Sequence, residues 1–173
     1  MPNLQNTEID YLIKENEQGI WRSYVYESGK SFREYRSKTE IMGLPLIHFT
    51  YGKCPETGRR IVAKGFIAVG RLSCGVIAIG HASLGLIAFG QLALGALVFA
   101  QAAFGLVGLG QLAIMLVMGI GQIATGYVAI GQVVFGYYVL GQIGWGVHAW
   151  TMGVRDPEAY KTFKWIIDFF IKK

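Results

Sequence analysis

From Gly65 to Trp150 the chain is written in fives: GFIAV, GRLSC, GVIAI, GHASL and so on to GQIGW and GVHAW. Seventeen units cover this stretch and fifteen begin with Gly; the exceptions begin with Ala100 and Met115, and the unit MLVMGI has six residues. A fixed short period means one small structural unit laid against copies of itself. It fits a helix poorly. Five residues rotate a helix by about 500°, so Gly at every fifth position would wander around the cylinder instead of forming a face. Each interior helical Gly also costs about 1 kcal/mol relative to Ala. The residues between are rich in Ile, Val, Phe and Tyr, which favour strands.

The reading is therefore an all-β chain with a hydrophobic β-solenoid of Gly pentads, short strands broken at Gly corners. Corner Gly residues permit a left-handed backbone or a close approach between coils. A ten-residue coil leaves almost no strand once about three residues at each edge cross the ~10 Å between packed sheets, so four pentads per coil are expected. The unit Met115–Ile120 inserts one residue, as a bulge does.

Three regions follow from the change in composition. Residues 1–64 hold ten Lys/Arg and eight Asp/Glu, residues 65–150 hold Arg71 as their one formal charge, and residues 151–173 hold five Lys/Arg and three Asp/Glu. In the first region Ile9, Leu12 and Ile13 have the spacing of a short amphipathic helix. IWRSYVY and SFREYRS, separated by ESGK, read as a β-hairpin, and Pro45 holds the following segment extended. Residues 1–64 are thus a small β-rich cap, 65–150 the solenoid, and 151–173 an amphipathic helix. That helix begins with Asp156 as N-cap and Pro157 at its first position, and Lys172 and Lys173 suit its carboxyl end. Tyr160, Phe163, Ile167 and Phe170 share one face; Trp165, Phe169, Phe170, Lys172 and Lys173 together suit a membrane interface, and a helix packed on the last coil fits equally well.

The period resembles that of pentapeptide-repeat square solenoids, with Gly as the small inward residue and the Ile, Leu or Val two positions later as the large one. The resemblance covers residues 65–150. The Ala-Asp/Asn-Leu consensus of that family is absent, so the nucleic-acid mimicry of its acidic members is not carried over. GLPLIHFTYG, a polar loop and AKGFIAVG are similar to the start of bacterial proteins with hydrophobic GxIAxG repeats, and this marks the boundary of the repeat.

The second position of the pentads alternates. Arg71, His81, Gln91, Gln101, Gln111, Gln122, Gln132 and Gln142 form a polar ladder; between them stand Phe66, Val76, Leu86, Leu106, Leu116, Tyr127, Tyr137 and Val147, an apolar contact face. In a four-sided coil these fall on two polar and two apolar faces. The fifth position is apolar in the first eight pentads, and a small coil cannot enclose so many large side chains. Far more apolar surface is exposed than a soluble monomer carries.

Catalysis has little to be built from. His48 and Cys54 are six apart around a turn, without an orienting acid, and no phosphate-binding or dinucleotide motif is present. No enzyme activity, cofactor, metal or small-molecule substrate is expected. A net charge of +5 without a basic stripe argues against nucleic acid. Cys54 and Cys74 form no C-x-x-C pair, and the amino-terminal segment lacks the pattern of a cleavable signal, so reduced thiols and a cytoplasmic origin are expected. The leading expectation is a membrane-associated or self-assembling scaffold whose apolar faces meet lipid or other copies of the chain in a homo-oligomer. Two alternatives remain: a membrane-perturbing oligomer with a soluble sensing head, and an α-helical polytopic membrane protein of about four spans.

Overall fold

The computed structural model describes residues 9–171, without side chains at 165–167 and 169–171. It is mostly β, with one helix at the carboxyl end. Two compact units divide the chain, Met1–Ala82 and Ser83–Lys173. No bundle of helices is present among the described residues, which overturns the polytopic alternative: Gly at every fifth residue and β-branched residues between favour extended backbone.

In the amino-terminal unit, strands β1 (Leu12–Glu15), β2 (Gly19–Val25), β3 (Ser31–Ser37), β6 (Ile47–Tyr51), β7 (Ala63–Val69) and the start of β8 (Leu72–Trp150) form one sheet in that order. The short β4 (Glu40–Ile41) and β5 (Leu44–Pro45) pair separately around Met42 and Gly43, both at positive φ, as a two-residue hairpin turn requires. The expected hairpin is β2 with β3, on which Trp21 lies against Tyr35 at 4.8 Å between ring centroids. The helix expected around Ile9, Leu12 and Ile13 is corrected: Leu12–Glu15 is a strand paired with β2, and Leu12 and Ile13 are exposed. Three apolar residues are a weak helical signal beside a free sheet edge that offers the backbone partners.

A polar link ties this sheet together. Glu34 on β3 and His48 on β6 are both buried, and the His48 Nε2–H donates to Glu34 Oε1 at 3.1 Å. That tautomer follows from the other ring nitrogen, since Nδ1 accepts the Lys64 N–H at 2.8 Å. The Arg22 guanidinium completes the link at 2.5 Å from Glu34 Oε2. Hydrogen bonds from His48 and then from Arg22 hold the Glu34 carboxyl below its ordinary range against the opposing effect of burial.

Past β3 the sheet changes character. β3 and β6 are antiparallel, whereas β6 with β7 and β7 with β8 are parallel. Between β7 and β8 the register is Ala63 with Ser73, Gly65 with Gly75 and Val69 with Ile79. The offset is ten residues, or two pentads. A coil of four pentads required twenty, so that expectation is corrected here.

In the carboxyl-terminal unit β8 runs unbroken to Trp150, and the helix α1 (Pro157–Ile171) follows. Gly does not interrupt the strand; within the repeat only Gly126 has positive φ. Its purpose is space. A Cβ on Gly95, Gly105, Gly131 or Gly136 would overlap the carbonyl oxygen of the residue ten positions earlier. Ring pairs repeat the offset: Phe89 with Phe99, Tyr127 with Tyr137 and Phe135 with Trp145 stack at 4.9–5.1 Å, close to the spacing of neighbouring strands. At the six-residue unit the offset becomes eleven, Gly121 lying over the Gly110 carbonyl, and it returns to ten at Gly131.

The buried position is the fourth of the pentads, with half-buried Gly144 as the exception, and not the third. Ala88, Ala93, Val98, Ala103, Ala113, Ala124, Ala129, Val134, Val139 and Ala149 make one apolar cluster, while Leu92, Leu97 and Ile123 at third positions are exposed. Small side chains at the buried position need far less room than the large third-position residues assumed for a square coil.

Candidate interaction surface

Whatever the repeat does, it does with what it leaves outside, because its buried residues are Ala, Val, Ser and Gly together with Met115. In the amino-terminal unit the second-position side chains of Arg71 and His81 are exposed, and Phe66 and Val76 are half-buried. In the carboxyl-terminal unit Gln91, Gln101, Gln111, Gln122, Gln132 and Gln142 are all exposed, and so are Leu86, Leu106, Leu116, Tyr127, Tyr137 and Val147. Spacing of ten, with eleven across the insertion, brings each of these sets into one row. A ten-residue register does not divide these positions into the two polar and two apolar faces expected of a square coil.

Around these rows the surface is dry. Leu86 is 60%, Leu116 74%, Trp145 60% and Val147 64% exposed. Fifth-position residues add Leu84, Phe89, Leu94, Leu109, Ile114 and Phe135, all exposed. A shallow groove runs between the fifth position of the Gln-bearing pentads and the second position of the others. Leu94, Phe104 and Ile114 form one wall, Leu106 and Leu116 the other, and Gly95 and Gly105 the floor. No polar side chain lines it.

The carboxyl-terminal helix is tied back onto its unit. Asp156 caps α1, its Oδ1 accepting the Glu158 N–H at 2.8 Å, and its Oδ2 lies 2.8 Å from His148 Nδ1. The hydrogen bond with His148, then that from Glu158, holds the Asp156 carboxyl below its ordinary range. The His148 ring stacks on Tyr138 ten residues earlier. Ala159 and Phe163 are fully buried, and Tyr160 lies against Trp150 at 5.0 Å. Of the interface set expected on this helix, Lys172 and Lys173 lie outside the described residues, as do the side chains of Trp165, Phe169 and Phe170. Among the described residues no helix is long and apolar enough to cross a membrane.

His48 and Cys54 are not brought together as a nucleophilic pair. His48 is engaged by Glu34 and Lys64, while the buried Cys54 sulfur faces the Tyr11 hydroxyl at 3.9 Å. Burial, then the hydrogen bond from Tyr11 to Glu56 at 3.0 Å, pushes the Tyr11 hydroxyl above its ordinary range.

The buried fourth position had a signal in the sequence. Outside the six-residue unit it is always Ala, Ser, Val or Gly, a ceiling on size otherwise kept only by the first position, which is Gly or Ala100. No protein-family model, curated protein or solved structure matches this chain.

Proposed function

We propose that this chain is a non-enzymatic scaffold whose repeat winds as a β-solenoid of two pentads per coil and lies in a membrane interface, its apolar surface covered by lipid or by other copies of itself. The winding is supported by the ten-residue register, by the ten-residue glycine approaches and by the stacked ring pairs. In such a coil each residue's backbone bonds to the next coil, so polar backbone groups are satisfied without water.

The observation that carries the function is the exposure of large apolar residues at the second, third and fifth positions, interrupted by a single row of Gln. A coil with one wet row and one dry row has the one-sided character of an interfacial amphipathic helix, transferred to a β framework. The Gln row faces water. Leu86, Leu106, Leu116, Tyr127 and Tyr137 face hydrocarbon, and the Tyr pair suits the headgroup level.

Flotation with neutral phosphatidylcholine vesicles tests this, alongside sedimentation in buffer with and without detergent. The wild-type chain is expected to float and to be monodisperse only in detergent. Replacing the dry row, with Leu86→Gln, Leu106→Gln and Leu116→Gln together, is expected to abolish flotation while keeping the β circular dichroism band. A wild-type chain that stays monomeric in plain buffer and leaves the vesicles unbound sinks the proposal. Detergent-dependent solubility with large oligomers and no flotation assigns the surface to other copies instead.

A further inference from the structure

The amino-terminal unit contains a cleft that the scaffold reading does not use. It has a volume of about 930 Å³ and lies among the tip of the β2–β3 hairpin, the loop after β6 and the first coils of the repeat. Lys30, Lys53, Arg60, Arg71 and His81 line it, and no Asp or Glu does. Residues 1–82 hold eleven Lys/Arg and eight Asp/Glu, so the mixture in the sequence has been sorted: four fixed positive charges share one cleft with no carboxylate. Neither Lys30, Lys53, Arg60 nor Arg71 makes an ion pair among the described residues; the ion pairs of this unit are Arg22 with Glu34, Arg36 with Glu40 and Lys38 with Glu15. The nearby Glu56 is turned to the Tyr11 hydroxyl.

Two features make the cleft a built one. Its rim is braced by the Tyr26 hydroxyl, which donates to the Lys53 carbonyl at 2.8 Å and so joins the hairpin tip to the loop. The loop closes on itself through Cys54 N–H to the Arg59 carbonyl and Gly58 N–H to the Cys54 carbonyl. Gly52, at φ 85°, packs so closely against the Ser31 carbonyl that no side chain fits there, which holds the loop after β6 against the hairpin. The second feature is electrostatic. Arg71 and His81 are neighbours in register, the His81 N–H donating to the Arg71 carbonyl at 3.1 Å. The Arg71 fork and the His81 ring therefore enter the cleft side by side, adding a hydrogen-bonding ring to the four fixed charges.

We propose that this cleft binds a phosphate-bearing ligand. Arg60 and Arg71 supply planar forks matched to phosphate oxygens, and Lys30 and Lys53 supply point charges. Tyr26, Phe49 and Tyr51 offer apolar and aromatic surface for the organic part, in a volume that suits a small molecule or a lipid headgroup. The proposal stands on this unit alone and does not need the dry surface of the repeat to meet lipid.

The test uses the full chain in neutral detergent, titrated calorimetrically with inorganic pyrophosphate, and separately the full chain mixed with phosphatidylcholine vesicles with and without phosphatidic acid. The cleft variant is Lys53→Gln with Arg60→Gln; the control, Lys14→Gln with Lys64→Gln, removes the same charge outside the cleft. At least one probe is expected to bind, with affinity falling at least about tenfold in the cleft variant and less than about twofold in the control. Binding of pyrophosphate assigns a soluble ligand. Binding only of phosphatidic acid vesicles, beyond any binding to phosphatidylcholine alone, assigns a headgroup. Absence of binding to both probes overturns the proposal, and so does equal weakening in the two variants, which would mean diffuse surface charge. Flotation with phosphatidylcholine alone reports on the apolar surface, so the scaffold reading and this one fail separately.

Discussion

Met115 stands where fifteen of the pentads have Gly, and its side chain turns inward, 3% exposed, among the Ala and Val of the carboxyl-terminal unit. Fourth-position Gly108 explains how it fits. A Cβ there would lie 2.5 Å from Met115 Cε, and one on Gly119 would lie 3.3 Å from Met115 Cγ, a tight contact. The extra residue of the MLVMGI unit thus carries a large side chain into space that two glycines have vacated. Met115→Ala should leave a cavity and destabilise the repeat by about 2–5 kcal/mol, while Met115→Leu should cost less than about 1.5 kcal/mol. Thermal unfolding in detergent, followed by circular dichroism, checks the order. In the amino-terminal unit the residue to test is Glu34. Its carboxyl ionises more readily in the folded chain, because His48 and Arg22 bond the charged form. Its contribution is therefore complete above the unfolded value of about 4.3 and is lost as pH falls through the lower folded value. Amide exchange in β3 and β6 should be faster in Glu34→Gln than in wild type near neutrality. The gap should close as the pH falls through that acidic window, where protonated Glu34 becomes equivalent to Gln.

At the scale of elements, the join between strand and helix is the part most open to a local test. Asp156 serves two partners, the Glu158 N–H as helix cap and His148 through its second oxygen. Asp156→Asn keeps an acceptor for the cap but loses the charge facing His148; Asp156→Ala loses both. Hydrogen exchange should rank α1 most protected in wild type, intermediate in Asp156→Asn and least in Asp156→Ala. If Asn matches Ala, the His148 contact rather than the cap holds the helix. This join was legible in the sequence, because Asp before Pro at a helix start is a local signal. So was the β2–β3 hairpin, whose strands and turn sit within one short segment. The ten-residue register was not. Period five is compatible with an offset of ten or of twenty, and the choice depends on which side chains are buried. Large Ile and Leu at the third position call for twenty, whereas the offset of ten goes with burial of Ala and Val at the fourth. The basic cleft was also hidden, since Lys30, Lys53, Arg60, Arg71 and His81 are scattered over fifty-two positions among acids and gather only when the sheet places hairpin tip, loop and first coils together.

For the molecule as a whole, the ten-residue period is a packing rule and, under the proposed function, also a rule about which side is wet. Removing Gln122–Gly131 joins Gly121 to Gln132 and deletes ten residues, two complete pentads. Every remaining Gln keeps its row, the glycines still lie over carbonyls ten positions away, and the fourth positions still meet. Removing residues 122–126 alone joins Gly121 to Tyr127. The pentads then stay intact, with Gly still at every fifth position, but all rows beyond the cut change sides. Gln132 and Gln142 enter the dry row, and Tyr127 and Tyr137 enter the wet one. Both deletions preserve the pentad grammar; only the shorter one breaks the ten-residue alternation. In a stacked array the loss of a complete coil removes one set of nearest-neighbour contacts, so the ten-residue deletion should lower the unfolding midpoint in detergent by no more than about 5 °C and leave vesicle flotation intact. The five-residue deletion should lose flotation, and its melting should broaden as mismatched aromatic and amide rows meet. If the two deletions behave alike in both measurements, the alternation of Gln with Leu and Tyr has no bearing on how the chain meets its surroundings, and the scaffold's sidedness has to be abandoned along with it.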